Sequence, residues 1–138
     1  TGSDDVRTVR QVIFNLPDPH FRRQGLVTDS PNYHPNHWTS LPCSCKFKSQ
    51  DFGGGRSFRK LDWDMPSWTV AYGNREIHIH PSGRRRLSVL EAMLLQSFPK
   101  KYVLTGTFSE QVTQVSNAVP PRVARAVASA IRKQLFDK

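Results

Sequence analysis

The stretch His80-Pro81-Ser82-Gly83-Arg84-Arg85-Arg86-Leu87-Ser88-Val89-Leu90-Glu91-Ala92-Met93-Leu94-Leu95-Gln96-Ser97-Phe98-Pro99 decides how the rest of this chain is read. Ser88-Val89-Leu90-Glu91 is a capping box: the serine side chain accepts from the glutamate amide, and the glutamate reaches back to the serine amide. That pattern predicts a short helix from Ser88 to about Gln96, stopped at Phe98-Pro99.

Downstream, Pro120-Pro121 opens a second helix running to about Phe136, since proline suits a first helical turn. Its Val123, Val127, Ile131 and Leu135 recur every fourth residue and form an apolar stripe that must pack against something. Upstream, Val6, Val9, Ile13 and Leu16 share one helical face, predicting an opening helix from about Asp5 to Leu16, with Asp4 and Asp5 at its positive end and Pro17 as its stop. Residues 17–67 read as mostly irregular, interrupted by six prolines and by Gly53-Gly54-Gly55. Aromatic and basic side chains alternate through this region, which marks an ordered surface rather than a linker. Trp68 to Tyr72 and Ile77 to Ile79 read as strands joined by a turn at Gly73-Asn74. The class is α+β: a small, loop-rich unit with short strands and a terminal helix.

The chain has 138 residues, enough for one modest core. Its 37% hydrophobic content is too high for a disordered tail. No apolar run is long enough to span a bilayer and no signal-peptide pattern opens the sequence, so an intracellular, cytoplasmic protein is expected. Cys43 and Cys45, one residue apart, are poorly spaced for a structural disulfide, in keeping with a reducing compartment. The formal charge is +9, distributed as +2 over residues 1–80 and +7 over residues 81–138. Such an excess fits a polyanion, of which nucleic acid is the commonest, although a solvated basic surface would look the same.

Two motifs carry a family resemblance. His80 to Pro99 is similar to motif IX of the DNA cytosine-5 methyltransferases, an HP followed by R-x-L-[ST]-x-R-E-A and LQ-x-FP. Gln114-Val115-Ser116-Asn117-Ala118-Val119-Pro120-Pro121 is similar to motif X, Q-[IV]-G-N-A-V-P-P. Tyr102, Gly106 and Gln111 fall where the family has its intervening Y…G…Q, and Trp63 to Val70 resembles the end of its target recognition region. Thr8 to Ile13 with Leu16-Pro17 resembles the helix that precedes that region. The chain departs from the pattern at Ser116, where motif X has glycine, and at Leu90, where motif IX has arginine. The family's glycine-rich cofactor motif, Pro-Cys-Gln nucleophile loop and Glu-Asn-Val motif have no counterpart in these residues. Cys43 follows a proline but precedes serine and lies on the wrong side of the motif order.

The resemblance implies the C-terminal part of such an enzyme, either the small subunit of a split two-chain methyltransferase, which is the first choice, or a fragment of a longer chain. It implies an N-terminal helix over 1–17, a target recognition domain with motif IX over 18–99, and motif X with the docking helix over 100–138. That helix would complete the partner's Rossmann-like domain, with Val123, Val127, Ile131 and Leu135 against the catalytic chain. Asn117, Ala118 and Val119 would approach S-adenosyl-L-methionine; on chemistry alone Asn117 reads first as a helix cap, and the resemblance reverses that order. The partner's cysteine would attack a flipped cytosine in double-stranded DNA. On this chain Arg84, Arg85, Arg86 and Ser88, at a helix N-terminus, would cradle phosphate. Arg56, Arg59 and Lys60 are the candidates for base contacts. No catalytic residue is expected here. The other reading is a free-standing DNA-binding module or an inactive remnant.

His34, His37, Cys43 and Cys45 supply four borderline or soft donors within twelve positions. The single residue between the cysteines is short for a zinc hairpin, and no metal is assigned. His78 and His80 share a strand face without an evident third ligand.

Overall fold

The computed structural model describes residues 6–22, 33–52, 58–69 and 78–136. Within them the order is α1 (Val9–Ile13), β1 (His20–Arg22), β2 (Trp38–Ser40), α2 (Cys45–Ser49), α3 (Val89–Leu95), α4 (Phe108–Asn117) and α5 (Pro121–Phe136). It is a small mixed structure of helices and short strands.

The first helix is shorter than its apolar spacing predicts. Thr8 and Gln11 form a capping box that starts the helix at Val9. The first amides, Val9 N–H and Arg10 N–H, donate to the carbonyls of Met65 and Trp63 at 3.0 and 2.9 Å. The 63–65 segment thus satisfies groups that an earlier start would have bonded within the helix. Val6 is left exposed, while Val9 and Ile13 are buried.

The region expected to be irregular holds two strands and a helix. β1 and β2 pair in parallel, His20 opposite Trp38 and Arg22 opposite Ser40. Of the expected hairpin, residues 70–77 lie outside the described residues, and Trp68 and Thr69 are irregular. Ile79, fully buried, bridges Lys60 on one side and Arg86 on the other.

The predicted α3 forms as its capping box dictates, with Ser88 as cap and Glu91 reaching back. It is the hub: α1, α4 and β2 all pack against it. The core gathers Val9, Ile13, Leu61, Leu87, Val89, Ala92, Met93, Val112 and Val115. Each large aliphatic side chain buried there contributes about 1.5–3 kcal/mol. Leu90, at the motif's arginine position, is fully buried, and its N–H donates to the Asn36 carbonyl at 2.9 Å. Ser116 sits inside α4 and its hydroxyl donates to the Thr113 carbonyl, so serine is accommodated without a special turn. α5 runs for sixteen residues with none buried.

Candidate functional site

The turn before α3 is built around glycine and an inward arginine. Gly83 N–H donates to the His80 carbonyl at 2.8 Å, and His80 N–H to the Arg85 carbonyl at 2.9 Å. Gly83 has φ +70°, a left-handed conformation that favours glycine, and a Cβ there would displace the end of the Gln50 side chain. This geometry turns Arg85 into the protein, where its two terminal nitrogens each bond one oxygen of Glu91 at 2.8 Å. The same carboxylate accepts from Ser88 N–H at 2.7 Å. Burial alone would raise the Glu91 carboxyl; the Arg85 fork and the Ser88 amide outweigh it and hold it below the usual carboxylate range.

His80 lies 4.0 Å from Glu91, edge-on to Trp63. Burial first, and then the Arg85 charge, push its imidazole down to about 4. It is therefore neutral at pH 7, and its approach to Glu91 is a packing contact rather than an ion pair.

The expected cradle of Arg84, Arg85, Arg86 and Ser88 accordingly divides. Arg84 is exposed and Arg86 half-buried, its guanidinium 4.8 Å from the centre of the Phe58 ring. Arg85 and Ser88 face inward. The Ser88 hydroxyl accepts from Glu91 N–H at 3.0 Å and meets His37 Nδ1 at 2.9 Å. A phosphate directly on these two groups would have to break the cap and the ion pair.

His37 is held at both ring nitrogens, since Nε2 lies 2.6 Å from the Pro17 carbonyl. That nitrogen must carry the proton, leaving Nδ1 to accept from Ser88, and burial keeps the ring neutral. His34 Nδ1 accepts from Asn36 N–H at 3.1 Å. Cys43 and Cys45 are exposed free thiols. Among the described residues no three His, Cys, Asp or Glu side chains converge on a common point that would hold a metal. The alternation of His78 and His80 places both in the interior, His78 Nε2 being 3.2 Å from the Thr69 carbonyl.

Asn36 was not anticipated and is the main brace of the site. It is fully buried, donating to the Leu104 carbonyl at 2.8 Å and to Gln111 Oε1 at 2.9 Å, and accepting from Leu104 N–H at 2.9 Å. Gln111 also accepts from Trp38 Nε1 and donates to the Gly106 carbonyl. One polar cluster thus fixes the loop into α4, and with it the position of Asn117.

At the end of α4, Asn117 is exposed and its carboxamide has no partner among the described residues, so it does not cap α5. Ala118 is half-buried and Val119 is 64% exposed. On α5, Val123, Val127, Ile131 and Leu135 are 52%, 53%, 51% and 64% exposed. Among the basic and aromatic residues of the irregular region, Arg59 lies 5.3 Å from the centre of the Trp68 ring, itself 60% exposed. Lys60 is exposed; Arg56 lies outside the described residues.

The buried Arg85–Glu91 pair, the joint at Asn117, Ala118 and Val119 and most of the uncovered helix α5 lie within one stretch of sequence that a family profile matches. The family profile described as C-5 cytosine-specific DNA methylase matches residues 7–133, and the chain belongs to that family. It is 39% identical over 103 residues to the type II methyltransferase M.AquIB of Picosynechococcus sp., covering 67% of this chain and 74% of that one. It is 34% identical over 122 residues to M.NmeDI of Neisseria meningitidis serogroup C, covering 83% of this chain and 28% of that enzyme. With M.Eco47II of Escherichia coli the identity is 33% over 111 residues, covering 74% and 26%. The chain therefore spans about a quarter of the latter two relatives and most of the first. No helix of the described residues is long and apolar enough to cross a membrane.

Proposed function

We propose that this chain is the target-reading and cofactor-side part of a DNA (cytosine-5) methyltransferase whose cysteine nucleophile lies on a separate catalytic chain. One observation carries the reading: α5 presents four aliphatic side chains, each more than half exposed, along one face of a helix with no buried residue. A contiguous apolar stripe of this kind marks an interaction surface. It directly follows the joint at Asn117, Ala118 and Val119, so its partner is the body of the methyltransferase. The likeness to M.AquIB, a chain roughly the length of this one, supports a two-chain arrangement.

In the complex, the free carboxamide of Asn117 and the exposed Val119 form one wall of the S-adenosyl-L-methionine pocket, with Ala118 between them. A hydrogen-bonding head beside an apolar side chain fits a ligand with polar and apolar parts, and the wall is incomplete without the catalytic chain. When bound, the cofactor supplies the methyl group that cytosine C5 receives. Arg84, Arg86, Arg59 and Lys60 face the DNA, and Arg56 is kept as a candidate for a base contact. Arg85 and Ser88 support it from behind by fixing the turn. The reaction belongs to the cytoplasm, where double-stranded DNA is accessible.

Sedimentation of this chain with the catalytic chain tests the pairing. A one-to-one complex supports it; two independent species would favour a stand-alone DNA-binding module or an inactive remnant.

A further inference from the structure

We infer that Lys46 on α2 and Arg86 on the motif IX turn form a two-point clamp on the DNA phosphate backbone, with the ring of Phe58 holding both cations in place. The inference rests on the DNA-facing role proposed above and adds an element, α2, to which no nucleic-acid role has been given.

Lys46 Nζ lies 4.6 Å from the centre of the Phe58 ring and the Arg86 guanidinium 4.8 Å from it. Two positive charges from segments forty residues apart are thus pinned to one aromatic side chain. Phe58 is itself fixed edge-on to the buried Phe47 of α2, with centroids 6.2 Å apart. Attraction to the ring quadrupole orients each cation and lowers the rotamer entropy that a flexible lysine would lose on meeting an anion.

The two segments are also joined rigidly. Gln50, at the end of α2, donates from Nε2 to the carbonyls of Phe47 and Gly83 at 2.8 and 3.0 Å. The end of the Gln50 side chain sits against Gly83, where a Cβ would push it away. α2 and the basic turn therefore form one rigid surface.

Its charge is mostly positive: among the described residues from Cys45 to Leu61 stand Lys46, Lys48, Arg59 and Lys60 against Asp51. Closely set cations on a fixed surface make a local positive potential that suits successive phosphates of a strand. A side chain braced on a ring a few residues from the base-reading candidates positions the duplex without reading it.

Fluorescence anisotropy of the full chain on two short duplexes of unrelated sequence, across a salt series, tests the clamp. Lys46→Ala should weaken binding about three- to tenfold on both duplexes and lower the salt slope by about one. Lys46→Arg should restore both. Phe58→Leu keeps both charges, so it should weaken binding while leaving the slope near its original value, provided a thermal melt shows it folded. Unchanged affinity and slope for Lys46→Ala, with the parent chain binding salt-dependently, would overturn the clamp alone. A loss confined to one duplex would overturn it in favour of a base contact. No binding by the parent chain, or binding indifferent to salt, would remove the DNA role and the clamp together.

Discussion

Arg85 and Glu91 meet through two parallel hydrogen bonds of 2.8 Å in the interior, beneath the turn that carries the exposed Arg84. The pair also fixes α3, because Glu91 caps the helix through the Ser88 amide. Removing the arginine would leave a buried carboxylate without its charge partner. Arg85→Ala is therefore expected to cost about 3–5 kcal/mol of stability in denaturant unfolding. Arg85→Lys keeps the charge but loses the fork, and should fall between the two. A solvated Arg85 would make both substitutions nearly neutral.

The interior histidines give the protein a pH dependence with a defined sign. Burial is the leading cause in each of His34, His37, His78 and His80, and all four are lowered from the usual imidazole value. Below about pH 6.5 the unfolded chain takes up protons that the folded chain refuses, so stability falls as the pH drops. For His80 the loss continues down to about 4. Glu91 acts in a lower window. Its depressed folded value gives stability that is present above the unfolded carboxylate range and lost as pH falls through the folded one. Unfolding free energies measured between about pH 7 and about pH 5 should decline, by up to about 1.4 kcal/mol per pH unit for each proton refused. His80→Asn should flatten the curve. A level profile in the parent chain would contradict the burial of these rings.

Asn36 holds the loop into α4 by three hydrogen bonds, two of them to the backbone of Leu104. Asn36→Ala should destabilise the chain by about 3 kcal/mol, since buried backbone groups lose their partners. Hydrogen exchange would show the loss concentrated at Leu104 and around Gln111. A uniform small effect would mean that the loop is held by something else.

The α5 stripe predicts a separation of stability from assembly. Val127→Asp and Ile131→Asp alter side chains that are more than half exposed, so the isolated chain should change by no more than about 0.5 kcal/mol. In the presence of the catalytic chain the same substitutions should abolish the complex, because each places a charge in an apolar contact. A calorimetric titration reads both. Intact pairing by the double variant would move the interface elsewhere.

Local signals were the legible ones. The Ser88–Glu91 box gave α3 its start, and the four-residue recurrence from Val123 gave α5 both its extent and its uncovered face. Two further boxes lie in the sequence. Thr8 with Gln11 would have moved the first helix to Val9, and Thr107 with Glu110 would have announced α4. The parallel pairing of β1 with β2 joins strands of three residues across a long connection, and nothing local encodes it. The inward turn of Arg85 was hidden for a related reason. Three consecutive arginines look alike in sequence, and the partner that selects the middle one stands six residues on, behind a glycine turn. His34 and His37, weighed as metal ligands, prove to be braces whose acceptor and donor lie in distant or backbone groups.

On the proposed function this chain completes a methyltransferase rather than acting alone. Transfer of labelled methyl groups from S-adenosyl-L-methionine to cytosine in duplex DNA tests it most directly. The chain alone and the catalytic chain alone should each be inactive, the mixture active, and the mixture made with Val127→Asp and Ile131→Asp inactive. An inactive mixture of two folded chains that both bind their ligands would contradict the claim.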